Sequence, residues 1–217
     1  MQFTLKPKLT ITRYFSFAKV LLVNFMMILS VKAESHELAR CGRALHLATQ
    51  GIFIETIRPE FCPISSRLVQ WLQLQNPLER TNMSFSKVTT FLRNNPNWPL
   101  RDRLQSQAEE ALKDTDNRSE LRKWFDENPP LTAKGATFYA RALMKTGKQN
   151  AAKKVVRNAW INFDFDAPSL KSFWKEFKEH LSQEDHYRRV DRLLMREKTD
   201  AARVMFPWLN KNHKTSG

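Results

Sequence analysis

Two places in this 217-residue chain set ionisable groups side by side in a way that invites chemistry: Glu109-Glu110 and Glu184-Asp185-His186. Cleavage of a glycosidic bond by paired carboxyl groups requires the two to stand on opposite sides of that bond. Neighbouring residues of a helix point about 100° apart, so Glu109 and Glu110 cannot flank one bond and read as a solvated helix face. In the second cluster His186 shares a helical face with Val190 and Leu193, which makes it a packed or capping histidine before it is an acid-base catalyst. No residue is assigned a catalytic role.

The chain's two cysteines, Cys41 and Cys62, fall two ligands short of a zinc site, and His36 and His46 stand at no metal-like spacing from them. Neither a metal nor another cofactor is expected. In an oxidising compartment the two cysteines either form a disulfide across the first helical hairpin or remain unpaired packing residues; sequence alone leaves both open, with packing the default. Trp71, Trp98, Trp124, Trp160, Trp174 and Trp208 have the ring area to stack on sugars, yet they sit at element ends and on apolar stripes, where packing anchors are expected. Lys145, Lys148, Lys153, Lys154, Arg157, Lys171, Lys175 and Lys178 crowd the later helices; they read first as solvated surface and second as a face for an anionic glycan or its peptide stems.

The N-terminal segment sets the compartment. Lys6, Lys8, Arg13 and Lys19 precede an apolar run from Val20 to Val31, and Val31-Lys32-Ala33 offers residues a signal peptidase reads. That run is too short for a bilayer, which needs about 20 residues. Residues 1–33 are therefore expected to be a cleaved signal peptide, the product residing in the periplasm with no stable membrane span. Removing Met1 to Ala33 takes five cations and no acid, so the net charge falls from +14 to +9. A basic exported chain meets anionic envelope polymers, and export excludes nucleic acid as its partner.

Behind these residues stand helices. Leu68, Val69, Trp71, Leu72 and Leu74, then Phe85, Val88, Phe91 and Leu92, and later Leu170, Phe173, Trp174, Phe177 and Leu181 recur at helical steps. Asn76-Pro77, Asn94 to Pro99 and Asn128-Pro129-Pro130 break the pattern, with Ser84 and Thr132 placed to start the next helices. In "NPNWPL" Pro96 ends one helix, Pro99 suits the first turn of the next, and Trp98 closes the corner. Ser182 and Asp185 have capping-box spacing, and Asp185 and Arg189 that of a helical ion pair. In "TAKGATFYARALMKTGKQNAAKKVVRNAW", Ala142, Gly147, Ala152 and Ala159 fall where two antiparallel helices approach, with Tyr139, Leu143, Val155 and Val156 between them. That is a tetratricopeptide-like unit, which must stack on neighbours to bury its face. The expectation is all-α: a solenoid of antiparallel helix pairs over 34–217, without a strict repeat.

Five phrases, taken in order, resemble the N-terminal region of soluble lytic murein transglycosylases: "LVQWLQLQNP", "FLRNNPNWPL" with "RLQSQAEEAL", "PPLTAKGATFYARALMKTG", "VVRNAW" and "LSQEDHYRRVDRLL". They span about Leu68 to Phe206; Tyr187 and Met195 depart from the tryptophans usual there. The resemblance implies a U-shaped α-superhelix. It also implies a separate lysozyme-like domain that cleaves peptidoglycan glycan strands without water, leaving 1,6-anhydromuramic ends. One glutamate in a Glu-Ser motif serves there as acid and then base. Glu34-Ser35 lacks that motif's context, so the resemblance covers only a non-catalytic part, with the catalytic domain or a partner enzyme expected elsewhere. Its structural marker residues would be Trp98, Pro99, Pro130, Gly135, Tyr139, Trp160, Asp185, His186 and Asp191.

Overall fold

The computed structural model describes residues 27, 35–53, 57–76 and 83–209, and the expected signal sequence falls, Met27 apart, outside the described residues. The chain divides into two compact units, Met1–Thr81 and Asn82–Gly217, where the sequence reading draws one module over 34–217. Among the described residues there are helices and turns and no strand. None of these helices is long and apolar enough to cross a membrane.

In the first unit α1 (35–49) buries Cys41, Ala44 and Ala48, a stripe at steps of three and four. Gly51 ends it at φ +78°, a left-handed turn in which the Gly51 and Ile52 amides donate back to the carbonyls of Ala48 and Leu47. α2 (Pro63–Gln75) opens with a proline, which forfeits no needed amide there. Cys41 is bonded to Cys62 across 6.3 Å between Cα atoms, so the packing-cysteine default gives way to the disulfide. Closing that loop restricts the unfolded chain by about 3 kcal/mol, a large share of what a small helical pair can gather.

The second unit holds α3 (Phe85–Asn94), α4 (Arg101–Glu110), α5 (Arg118–Glu127), α6 (Ala133–Lys145), α7 (Gln149–Asn162), α8 (Ala167–Phe177), α9 (Gln183–Met195) and α10 (Thr199–Met205). Short 3-10 turns follow α8 at Lys178–His180 and α10 at Phe206–Trp208. Side-chain caps start five of these helices: Ser84, Asn117, Thr132, Asp166 and Ser182 each accept a first-turn amide. Ser182 and Asp185 complete the expected capping box.

The α3–α4 corner is held differently from expectation. Trp98 packs edge-on against Phe91, ring centroids 5.2 Å apart, as a corner piece should. Pro99, however, precedes the capping residue Leu100 rather than entering the first turn, and Leu100 takes the left-handed conformation at φ +59°. Arg101 secures this bend by donating to the carbonyls of Leu92 and Pro96 and to the Asn128 side chain.

α6 and α7 pack directly against each other. Ala140, Ala142 and Leu143 of one helix and Ala152, Val156 and Ala159 of the other are buried, as the small-residue spacing requires. Gly147 serves the turn rather than the approach: φ is +74°, and a Cβ there would meet nothing within 4 Å. The Gly147 and Lys148 amides return to the Met144 and Leu143 carbonyls. The α9–α10 turn repeats this geometry with Glu197 at φ +58°, its own and the Lys198 amide returning to Leu194 and Leu193. A side chain in that conformation costs about 1 kcal/mol that glycine avoids. Glu197→Gly is therefore expected to raise stability by about 1 kcal/mol in denaturant titration, while Gly147→Glu lowers it by a similar amount.

Candidate functional site

The sequence reading of Glu109 and Glu110 as one solvated face is overturned by the structure. Glu110 is exposed, but Glu109 has no exposed surface. Its carboxylate reaches from α4 to the start of α6 and accepts the Leu131 amide at 3.0 Å and the Thr132 amide at 2.7 Å. Gln105 donates to it at 2.9 Å and also to the Pro129 carbonyl, pinning Pro129-Pro130 beside it. Burial holds the Glu109 pKa above the usual carboxylate value, only partly offset by the hydrogen bonds from Gln105, Leu131 and Thr132. Gly135 is the other half of this arrangement: a Cβ there would lie 2.2 Å from Glu109 Oε2. The half-buried Pro130 and the glycine thus both serve the α4–α6 junction.

A second junction joins α7 to α9. Asp185 is fully buried at the α9 N-terminus, where it accepts from the Ser182 amide and hydroxyl and receives Arg157 at 2.9 Å. Burial alone would raise its pKa, but the Ser182 and Arg157 contacts outweigh that and hold it low. The expected pairing of Asp185 with Arg189 does not form. Arg189 instead donates to the Trp160 and Phe163 carbonyls and lies over the rings of Trp160 and Phe165, at 5.1 and 4.9 Å. Arg157 of α7 takes that place, while Arg189 is occupied by the free carbonyls at the end of α7. Burial lowers the Arg189 guanidinium to about 10, still cationic near neutrality.

Trp160 is fully buried at the centre of this region, stacked with Phe173 at 6.1 Å and Trp208 at 5.6 Å and met edge-on by His186 at 5.4 Å. The buried Nδ1 of His186 has no hydrogen-bond partner among the described residues. Burial depresses the His186 pKa, with Asp185 pulling upward and Arg189 downward. His186 is thus a packed residue, as its shared face with Val190 and Leu193 suggests. Tyr139 packs on Phe125 and donates to Asp126 at 2.7 Å, which with burial pushes its hydroxyl up to about 12. Asp191 is exposed and touches neither junction. Trp124 and Trp160 are buried and Trp71, Trp98, Trp174 and Trp208 partly so, in keeping with packing anchors.

Two cavities flank α6. The larger, about 630 Å³, lies between α6 and α8 and is closed at one end by the Arg141–Glu176 pair, whose two bonds are each 2.7 Å. The smaller, about 320 Å³, is lined by Tyr139, Asp126, Lys154 and Pro130. Phe163 borders both. Of the eight basic residues singled out in the sequence, Lys154 alone borders either of these two cavities; seven are exposed and Arg157 is bound to Asp185. Sequence reasoning missed Glu109 and the α6–α8 cavity, and the one available signal was a glycine just after the start of a predicted helix.

Comparison of this chain with known protein families, curated proteins and solved structures finds no match.

Gly135→Ala is expected to cost about 3 kcal/mol through overpacking against Glu109. Glu109→Ala should cost about 2 kcal/mol by orphaning two amides. Because the two side chains share one space, the double variant should lose less than the sum in denaturant titration. His186 sets a pH response with a definite sign. Its folded pKa lies below the unfolded value of 6.5, so its stabilising contribution is complete above that value and is lost as pH falls towards the folded pKa. Glu109, raised above 4.5, slopes the opposite way. The difference in melting temperature between the parent and His186→Gln should therefore shrink as pH falls from 7 to 5.

Proposed function

We propose that this chain is a superhelical, non-catalytic module of the soluble lytic murein transglycosylase type, serving peptidoglycan turnover in the periplasm. The five resembling phrases fall on α2, the α3–α4 corner with α4, the α5–α6 connection with α6, α7, and α9. The observation that carries the reading is that the phrases of the second unit hold one another. Glu109 of "RLQSQAEEAL" binds the α6 start in "PPLTAKG", and Arg157 and Trp160 of "VVRNAW" receive Asp185 and Arg189 of "LSQEDHYRRVDRLL". Phrases coupled through buried contacts constrain each other, so their joint occurrence speaks for shared architecture more strongly than five isolated words. A stacked array of helix pairs like α6–α7, closing towards a U, follows from the same reading.

The implied reaction needs a carboxyl group that a glycan can reach. Burial raises the Glu109 pKa, the direction that suits a general acid, but its oxygens are enclosed by Gln105, Leu131, Thr132 and Gly135. We therefore assign the cleavage to a catalytic domain or partner enzyme and give this chain the task of holding murein or that partner. The α6–α8 cavity favours the scaffold form of this reading, since it offers a concave surface of ligand-site size. Purified murein sacculi should retain the mature protein at low salt, and the protein alone should leave no clearing in a murein zymogram. Failure of retention would remove the murein assignment; clearing would remove the non-catalytic one.

A further inference from the structure

We propose that the cavity between α6 and α8 is a binding site for an uncharged saccharide segment, a reading that extends the murein assignment by giving it a place. Its floor is aromatic: Phe163 and Phe165, half-buried, lie beside the buried Phe173, with Phe165 and Phe173 in edge contact at 5.0 Å. The volume of about 630 Å³ falls inside the range of about 300–1,000 Å³ usual for ligand sites.

Charge selects the ligand class. Four carboxylates border the cavity, from Glu110, Asp164, Asp166 and Glu176, against the cations of Lys134 and Arg141. With Arg192 and Lys198 standing on Asp164, four cations balance the four carboxylates, so the edge carries no net charge to draw in an anion. A cation fares little better, because Asp164 is already held by Arg192 at 3.1 Å and Lys198 at 2.6 Å, and Glu176 by Arg141. What remains is a mixed edge of hydrogen-bonding groups above an apolar ring surface: the Ser169 and Ser172 hydroxyls, the Glu110 carboxylate, the Lys134 ammonium, which spends one donor on the Glu110 carbonyl, and the Asp166 carboxylate, which also caps the Ser169 amide. A pyranose presents the complement, with C–H bonds on its face and hydroxyls at its edge that both donate and accept. Arg141–Glu176 ties α6 to α8, and Arg192 and Lys198 tie down Asp164 in the α7–α8 connection, so part of the site is arranged before a ligand arrives.

The test uses the full chain and a tetramer of N-acetylglucosamine, followed by backbone amide NMR. Resonances of residues 132–141 and 162–176 should shift, and those of Lys154 and Asn158 at the smaller cavity should stay. Ser172→Trp, at an exposed position, should fill the cavity and weaken binding by about tenfold or more with the melting temperature unchanged. If that variant melts early, Ser169→Trp on the same wall replaces it. Absence of shifts at millimolar tetramer, parent-like affinity in the folded filled variant, or tighter binding of a lysine-rich peptide at the same residues would overturn the proposal. Unchanged retention of Ser172→Trp on sacculi would sink the cavity while leaving the murein assignment standing, whereas loss of retention by the parent would sink the assignment alone.

Discussion

In the second unit α6 is bordered by α4, α5 and α7 and forms a wall of both cavities, so the point at which it begins positions much of what surrounds it. Glu109 sets that point. A buried carboxylate is costly unless hydrogen-bond donors surround it, and here Leu131, Thr132 and Gln105 supply them only if the chain leaves Pro129-Pro130 at one angle. The same carboxylate fills the space that a side chain at position 135 would occupy. A start shifted by one residue would strand the charge, so the arrangement specifies register more than it adds stability.

The α7–α9 contact is fixed in a comparable way by cations. Arg157 lies beside Asp185, Arg189 beside the Trp160 carbonyl, and Arg192 beside that of Phe163, separations of 28, 29 and 29 residues. The constant offset means the two helices run in the same direction in one register. Arg189 and Arg192 satisfy carbonyls that the end of α7 leaves free, a task usually given to water or glycine at a helix terminus. The aromatic core around Trp160 then fills in between these ties.

The helical character and the starts at Ser84, Thr132 and Ser182 were legible because their causes are local. Ser84, Thr132 and Ser182 each find their partner three residues on, and apolar spacing reports a buried stripe wherever one helix packs on another. Pro99 misled because two rules compete at a corner, and the left-handed Leu100 took the bend that a first-turn proline would have made. Glu109 was illegible for a different reason. The amides it accepts from lie more than 20 residues downstream, and an acid beside an acid looks solvated until the fold brings a helix start against it. Asp185 and Arg189 failed likewise, a local pairing displaced by a cross-helix one. The α6–α8 cavity follows from how two helices stand apart, which no periodicity encodes.

The turn after α10 brings Trp208 onto two other indoles, 5.6 Å from Trp160 and 5.4 Å from Trp174, with the interplanar angle to Trp174 only 13°. Chromophores that close share their excited states, so this trio acts as one optical unit with a near-ultraviolet dichroic band of its own. Because Trp208 is the member shared by both close pairs, departure of the final turn uncouples all three, whereas loss of Trp160 or Trp174 leaves one pair. The protein thus carries a built-in spectroscopic gauge of whether its last helices remain docked, readable without any added label.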